Sequence, residues 1–296
     1  MEVKSFINKK NQEVYYLHWP VLNPKAKVVI SHGMAEHPIR YNLLASFLNA
    51  NNIEVYAIYH IGHGKYASKV GHMAKGEFDQ CVTNIYELIE NVKEDKKVIL
   101  LGHSMGSFIS QLFVTRYHNI DALILSGSTV RNAIAPMGAF VSSLICAFSK
   151  DDSLPSPFLD NMAFGTYAKA YDNPRTKFDW LTKDESIVDE YIKDEYCGWV
   201  GSKRFFNNLT SGMNEMGKKK NIKNVDVNLP ILIYGGSKDP VSSFGKGLHG
   251  LFKQYKDLGV KDVSLIIYEN DRHEIFNELD KEKVFEDTLS FINTHL

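Results

Sequence analysis

Short continuous runs of valine, isoleucine and leucine alternate with helical spacing along this chain of 296 residues. Strands covered by helices on both faces read as such runs, whereas half-exposed strands alternate apolar and polar residues. The pattern therefore predicts an α/β fold with about eight mostly parallel strands. The predicted strands are a weak one at Glu2–Asn8, then Glu13–Trp19, Lys27–Ser31, Ile53–Tyr59, Lys97–Leu101, Asp121–Ser126, Pro230–Gly236 and Asp262–Glu269. The predicted helices are Leu43–Ala50, Phe78–Glu94, Ser104–His118, Phe244–Leu258 and Glu282–His295.

One connection is much longer than the others. Ser126 ends one predicted strand and Ile231 lies in the next, although a whole crossover unit needs only about 30 residues. We therefore predict a core formed by residues 1–127 and 229–296, with a helical cap inserted over residues 128–228. The insertion begins with the apolar run Ile134–Phe148. Two interpretations of its apolar residues stay open: a subdomain that packs on itself, or a lid with an apolar underside.

Composition narrows the classes of partner. Hydrophobic residues make up 44% and charged residues 23% of the chain, as in a globular protein with a large core. A net charge of −1 gives no global attraction to nucleic acid, so we expect none as a partner. Three widely spaced cysteines without a C-x-x-C motif predict reduced, buried thiols, no disulfide and no zinc site. No signal-peptide pattern and no run long enough to span a bilayer is found, which predicts a cytoplasmic location.

The segment Gly102-His103-Ser104-Met105-Gly106 follows a predicted buried strand and precedes a predicted helix. The pentapeptide G-x-S-x-G alone is a weak signal, but a nucleophile elbow requires this strand, turn and helix around it. Small flanking residues clear the neighbouring chains, and the helix N-terminus favours developing negative charge. The context predicts Ser104 as a catalytic nucleophile.

A serine hydroxyl needs a base to take its proton and an acid to orient that base. Asp239 and His273 follow two consecutive predicted strands, at the edge where open α/β sheets carry their reactive groups. They are the predicted acid and base, with Asp271 and Asp262 as alternatives for the acid. The sequence His273-Glu-Ile-Phe-Asn277 matches only half of a zinc H-E-x-x-H motif, because the second histidine is absent. We predict no metal at the site.

Acyl transfer also needs N–H donors for the tetrahedral oxyanion. One predicted donor is the backbone N–H of Met105, the residue after the nucleophile. The other is the backbone N–H of Met34, in the loop His32-Gly33-Met34 that follows the third strand.

Five segments together resemble the monoacylglycerol lipase and lysophospholipase-like group of α/β-hydrolases, which includes serine aminopeptidase-type hydrolases. They are HGMAEHPIRY, IGHGKYAS, GHSMGS, GGSKDPV and RHEIFNE, between residues 32 and 278. The resemblance implies an eight-stranded α/β-hydrolase fold with a helical cap after strand 6, and no cofactor. It also implies Ser104, Asp239 and His273 as the catalytic residues, with the amides of Met34 and Met105 as the oxyanion hole.

Glu36 and Arg40 match polar positions that lie near the substrate's head group in such lipases. They are candidate substrate-proximal residues, and an internal ion pair that holds the oxyanion loop is the alternative. The sequence departs from the family pattern at Tyr59, where an aspartate is usual, and at Met34, where a small residue is common. Tyr59 affects a loop-stabilising hydrogen bond, and the Met34 side chain could narrow the acyl pocket.

The predicted function is a serine hydrolase that cleaves carboxylic esters through an acyl-enzyme, with a monoacylglycerol or lysophospholipid as the expected substrate. The expected partner is thus a small-molecule ester with an acyl chain. Alternatives are a short-chain or feruloyl-type carboxylesterase, a proline-iminopeptidase-like peptidase using Asp151 and Asp152, or a non-catalytic lipid-binding protein. The run Ile134–Phe148 also suggests transient contact of the cap with a membrane surface.

Overall fold

A computed structural model describes residues 1–132 and 134–296, and at Ile134 the backbone alone. Within these residues eight strands form one sheet in the order β1-β2-β4-β3-β5-β6-β7-β8. The strands are β1 (Glu2–Ile7), β2 (Glu13–Trp19), β3 (Ala26–Ser31), β4 (Ile53–Ile58), β5 (Lys97–His103), β6 (Ala122–Ser126), β7 (Ile231–Gly236) and β8 (Val263–Tyr268). The β1–β2 and β2–β4 pairs are antiparallel, and every pair from β4 to β8 is parallel. The predicted mostly parallel α/β sheet is confirmed.

The α-helices of the described chain are α1 (Asn42–Ala50), α2 (Glu77–Val92), α3 (Met105–Val114), α4 (Ile134–Phe148), α5 (Pro157–Phe164), α6 (Glu185–Lys193), α7 (Lys203–Met216), α8 (Lys219–Ile222), α9 (Lys246–Asp257) and α10 (Lys281–Thr294). One buried apolar cluster packs α2, α3 and α9 on one face of the sheet. A second cluster packs α1 and α10 on the other face. The central strands are therefore covered on both faces, which explains their continuous apolar runs.

The helix after Ser104 is shorter than its sequence predicts, ending at Val114 rather than His118. The N–H groups of Thr115 and Arg116 bond to carbonyls three residues back, at 3.2 and 2.9 Å. This tighter 3₁₀ geometry closes the helix.

Helices α4 to α8 lie between β6 and β7, in the long connection that the sequence marks out. Parts of this connection lie against loops at the carboxyl edge of the sheet. The N–H of Gly198 donates to the carbonyl of Ala35 at 3.0 Å, and the N–H of Glu274 donates to the carbonyl of Leu181 at 2.7 Å. Among the described residues no helix has the length and apolar character to cross a bilayer.

Candidate active site

Ser104 lies at a sharp turn between β5 and α3, with φ 50° and ψ −121°. Residues other than glycine rarely adopt a positive φ, and such backbone strain costs about 1–3 kcal/mol. The strand, turn and helix occur where the sequence predicts them. Ser104 is only partly buried, whereas the next ten residues of α3 are all buried.

Two glycines permit this turn. A Cβ placed on Gly102 would lie 2.6 Å from the carbonyl oxygen of Gly106, and a Cβ placed on Gly106 would lie 1.9 Å from that of Ser31. The end of β5, the start of α3 and the end of β3 therefore approach one another too closely for any side chain at these positions. Substituting either glycine would force the backbone around Ser104 to move.

Asp239 and His273 are in direct contact at the carboxyl edge of the sheet. His273 Nδ1 lies 3.0 Å from Asp239 Oδ1, and both side chains are buried. Asp239 Oδ1 also accepts the N–H of Val241 at 2.8 Å. The two alternative acids have other partners: Asp271 pairs with Lys183 and Asp262 with His295.

The pKa of His273 lies above its ordinary value of 6.5. Burial lowers this pKa most strongly, but the neighbouring Asp239 carboxylate and its hydrogen bond raise it by more in combination with nearby acids. The site therefore favours a positively charged imidazole more than water does. This is the form that a histidine takes after accepting a proton.

Among the described residues no hydrogen bond joins Ser104 to His273. His273 does, however, lie close to His103, the residue before Ser104, and to Gly127. The rings of His103 and His273 have centroids 4.8 Å apart. A Cβ placed on Gly127 would lie 2.8 Å from His273 Cε1. Catalytic hydrogen bonds are often long without substrate and tighten in the complex.

The loop after β3 passes directly against Ser104. A Cβ placed on Gly33 would lie 3.2 Å from the Cβ of Ser104, so Gly33 and Ser104 are close neighbours. Met34 and Met105 are the residues that follow them in the chain. The Met34 side chain reaches the long connection, where a Cβ placed on Gly201 would be 3.4 Å from its terminal methyl carbon. The loop is thus packed between Ser104 and the segment above it.

Glu36 and Arg40 form the predicted ion pair, at 3.0 Å, but they share it with Glu274. The two terminal guanidinium nitrogens of Arg40 donate hydrogen bonds to the Glu274 carboxylate, at 2.5 and 2.7 Å. Glu36 accepts the N–H of Gly33 at 2.5 Å and the hydroxyl of Tyr41 at 2.7 Å. These contacts support the structural alternative, in which the pair holds the loop after β3.

The charges of this cluster do not balance, because one guanidinium faces two carboxylates. Burial raises the pKa of Glu36. Burial acts in the same direction on Glu274, but Arg40 outweighs it and holds the pKa of Glu274 at about 2. The sequence analysis missed Glu274, although its position directly after His273 was a usable signal.

Aromatic residues of the long connection cover His273. The Trp180 ring lies 5.1 Å from the His273 ring, between centroids, and stacks on Phe164 at 6.1 Å with an interplanar angle of 6°. Tyr167 packs edge-on against Trp180 at 5.1 Å. Burial and the nearby Asp239 raise the pKa of Tyr167 to about 12. The sequence indicated aromatic residues in the insertion but could not tell which of them face the site.

A short stretch of the same connection, Asp179–Lys183, is bonded to the loop that carries His273. The carbonyls of Trp180 and Leu181 accept the N–H groups of His273 and Glu274, at 3.4 and 2.7 Å. The buried carboxylate of Glu278 accepts the N–H groups of Arg272 and Lys183, at 2.7 and 3.0 Å. The position of the histidine therefore depends on the connection as well as on the sheet.

Two further predicted residues are engaged elsewhere. Asp152 pairs with Arg204, and exposed Asp151 accepts the N–H of Ser153 at 2.9 Å. Neither contact favours the peptidase alternative, which needs carboxylates directed at a free amino group. Within the described part of the chain, the buried Tyr59 hydroxyl has no hydrogen-bond partner, and the Tyr59 ring packs edge-on against Tyr66 at 5.0 Å. Tyr59 is thus held by ring packing, where the family's usual aspartate is expected to make a polar contact.

Known proteins are similar to this chain in sequence and in fold. A family model described as serine aminopeptidase, S33, matches residues 22–280. The monoacylglycerol lipase of Mycolicibacterium smegmatis is 28% identical, over 96% of this chain and 93% of its own. Human monoglyceride lipase is 26% identical, over 94% of this chain and 85% of its own. A carboxyl esterase structure from Bacillus coagulans, in complex with glycerol, has the same fold: its TM-score is 0.86 at 24% identity, over 99% of this chain and 98% of that one.

The match to the family model spans most of the chain, and the elbow, the sheet order and the long helical connection agree with it. The chain belongs to the serine aminopeptidase S33 family of α/β-hydrolases.

Proposed function

We propose that this protein hydrolyses carboxylic esters through a covalent acyl-enzyme. Ser104 Oγ attacks the ester carbonyl while His273 takes its proton, and Asp239 orients the imidazole and stabilises its charged form. The backbone N–H groups of Met34 and Met105 bind the oxyanion. The alcohol leaves with the proton from His273, and water then attacks the acyl group by the same route. These steps need no metal or cofactor.

One observation supports this mechanism above the others. A serine at φ 50° stands at the start of α3, and a buried carboxylate–imidazole pair follows β7 and β8, with Asp239 after β7 and His273 after β8. A structural role for the strained serine would not require an acid and a base beside it. The raised pKa of His273 fits a base that must hold a proton during the reaction.

We propose an ester with an acyl chain as substrate, in particular a monoacylglycerol or lysophospholipid. Residues 128–228 would act as the cap over the site. The aromatic wall of Phe164, Tyr167 and Trp180 beside His273 offers an apolar surface for the acyl chain. The relatives named as monoacylglycerol and monoglyceride lipases give the same indication. Glu36 and Arg40 would hold the oxyanion loop, and their proximity to substrate stays a prediction.

The cap also carries a surface suited to lipid. Along α4 and α5 the side chains of Met137, Phe140, Leu144, Phe148, Phe158 and Met162 are exposed by 42–87%. The opposite face of α4 makes polar contacts with α7, including Ser142 to Thr210 at 3.1 Å and Asn207 to Ser142 at 3.2 Å. The face of α4 that carries Ser142 therefore packs inwards, while its large apolar side chains point outwards. We propose that this apolar ridge rests transiently on a membrane surface while substrate enters.

Three buried free cysteines support the cytoplasm as the proposed location, because disulfides are rare there.

The experiment is a panel of esters with increasing acyl length and varied head groups, run beside aminoacyl amides. We expect long-chain monoacylglycerols or lysophospholipids to give the highest kcat/KM. A preference for short or feruloyl esters would favour the carboxylesterase alternative, and a preference for amides would favour the peptidase.

A fluorophosphonate probe separates enzyme from lipid-binding protein. It should label the wild type and Ser143→Ala, a serine on the exposed face of α4, but not Ser104→Ala. Failure of the folded wild type to react would contradict the acyl-enzyme mechanism.

A further inference from the structure

Three unlike side chains meet where the loop after β3 touches the segment after α6. One ring nitrogen of His37, one carboxylate oxygen of Asp194 and the sulfur of Cys197 lie within 4.8 Å of one another. His37 and Cys197 are buried, and Asp194 is half-buried. Imidazole, carboxylate and thiolate are the three ligand types that Zn²⁺ takes in proteins. We propose that this cluster is a divalent-metal site that binds Zn²⁺.

Charged groups of both signs surround the cluster. The guanidinium of Arg40 and the carboxylates of Glu36 and Glu274 interact with Cys197, and Lys65 and Lys193 line the adjacent cavity. Within the cluster itself, a bound dication would neutralise the Asp194 carboxylate and the Cys197 thiolate.

Binding to the thiol releases a proton. An ordinary cysteine has a pKa of about 8.5, so the residue without metal is a thiol at neutral pH. Zn²⁺ forms a Zn–S bond as the S–H bond breaks, and the proton passes to solvent. No oxidant or reductant takes part, and the affinity should fall with decreasing pH.

The geometry needs only small adjustments. His37 Nε2 now lies 2.7 Å from Asp194 Oδ2, whereas ligand atoms in a tetrahedral zinc site lie about 3.3–3.7 Å apart, given bonds of about 2.0–2.3 Å. The hydrogen-bonded pair would open slightly and the sulfur would move inwards. In residues 1–132 and 135–296, the other ring nitrogen of His37 is buried and finds no hydrogen-bond partner. A surface cavity of about 350 Å³, lined by His37, Asp194, Lys65 and Lys193 among others, lies beside the cluster. A water would be the fourth ligand.

The site would join two parts of the molecule. Gly198, next to Cys197, donates its N–H to the carbonyl of Ala35, and Ala35 follows the proposed oxyanion donor Met34. A metal held by His37, Asp194 and Cys197 would fasten this segment to the oxyanion loop. We therefore expect Zn²⁺ to slow turnover reversibly, a consequence that rests on the proposed function, whereas metal binding does not. The spacing of cysteines predicted no zinc site, but it cannot reveal ligands drawn from two distant segments.

The test is a titration of metal-free protein with Co²⁺, followed by displacement with Zn²⁺. We expect one ion per chain and the absorption band of a thiolate–cobalt bond. Cys197→Ser should remove the band, and Asp194→Asn, which keeps an oxygen acceptor for His37, should weaken binding about tenfold or more. Cys146→Ser, at another buried cysteine, is the matched control and should bind like the wild type.

Circular dichroism melts establish that each variant is folded. If Cys197→Ser does not fold, Asp194→Asn alone decides. A wild type without the thiolate band, or equal affinity in the wild type and both site variants, would overturn the proposal. Because this readout needs no turnover, its failure is distinct from failure of the ester-hydrolase function.

Discussion

The backbone N–H of His273 donates to the carbonyl of Trp180 at 3.4 Å, and the two rings lie 5.1 Å apart between centroids. One residue of the helical connection therefore both supports the proposed base and covers it. This double contact couples the shape of the helical connection to the position of the imidazole.

Trp180→Ala should lower kcat/KM for long-chain esters by about tenfold, equivalent to about 1.4 kcal/mol. The substitution removes an apolar surface and admits water beside His273. Trp180→Phe keeps a ring for Phe164 and should retain most of the activity. Steady-state kinetics over several acyl lengths measure the effect. An equal loss in both variants would show that ring packing is not the cause.

The sheet was predictable because its signal is local: buried runs of five to seven residues define strands such as β5 and β7. The contact between Asp239 and His273 was predictable because both residues lie just after such runs. The residues of the long connection that face His273 were not predictable, because its aromatic residues lie on short segments without a clear period. The partners of Arg40 show the same limit, since Glu274 is 234 positions away in sequence and only the fold joins them.

Glu278→Gln should reduce kcat more than it raises KM. The buried carboxylate accepts bonds from Arg272 and from Lys183, so it ties the histidine loop to the cap. An amide can face only one of these donors with its oxygen, and a lost buried hydrogen bond costs about 1–3 kcal/mol. Denaturant unfolding and kinetics measure the effect. Glu282→Gln, at an exposed acid on α10, is the control and should match the wild type.

Asp239→Asn should change the pH profile as well as the rate. In the wild type the pKa of His273 lies above 6.5, so kcat/KM should rise with pH through a value above 6.5 as the imidazole becomes neutral. Without the carboxylate, burial lowers this pKa against the smaller opposing effects of Glu274 and Glu36, so the acidic limb should move to lower pH. The rate should fall by about 10⁴. A limb at the same pH in both proteins would assign it to another group.

Acid should destabilise the fold through four buried neutral histidines. Burial lowers the pKa of His63 to about 4 and holds three others well below 6.5, namely His32, His60 and His103. Each takes up a proton more readily when unfolded, so the stability they contribute is complete above 6.5 and is lost as pH falls towards 4. His273 acts in the opposite direction. Each histidine contributes up to about 1.4 kcal/mol per pH unit. Urea unfolding at pH 7.5 and 5.5 measures the loss, and equal free energies would contradict it.

Phe140→Asp should weaken binding to lipid vesicles. Phe140 is 63% exposed at the middle of the apolar ridge on α4, and burial of an aromatic side chain contributes about 1.5–3 kcal/mol. A charge there replaces this gain with a desolvation cost. Flotation with liposomes measures binding. Leu22→Asp changes an apolar residue that is 88% exposed outside the cap and should leave binding unchanged. Hydrolysis of a water-soluble short ester should be similar in both variants, because neither residue contacts Ser104, Asp239 or His273. Unchanged flotation of Phe140→Asp would contradict the proposal that the ridge rests on a membrane surface.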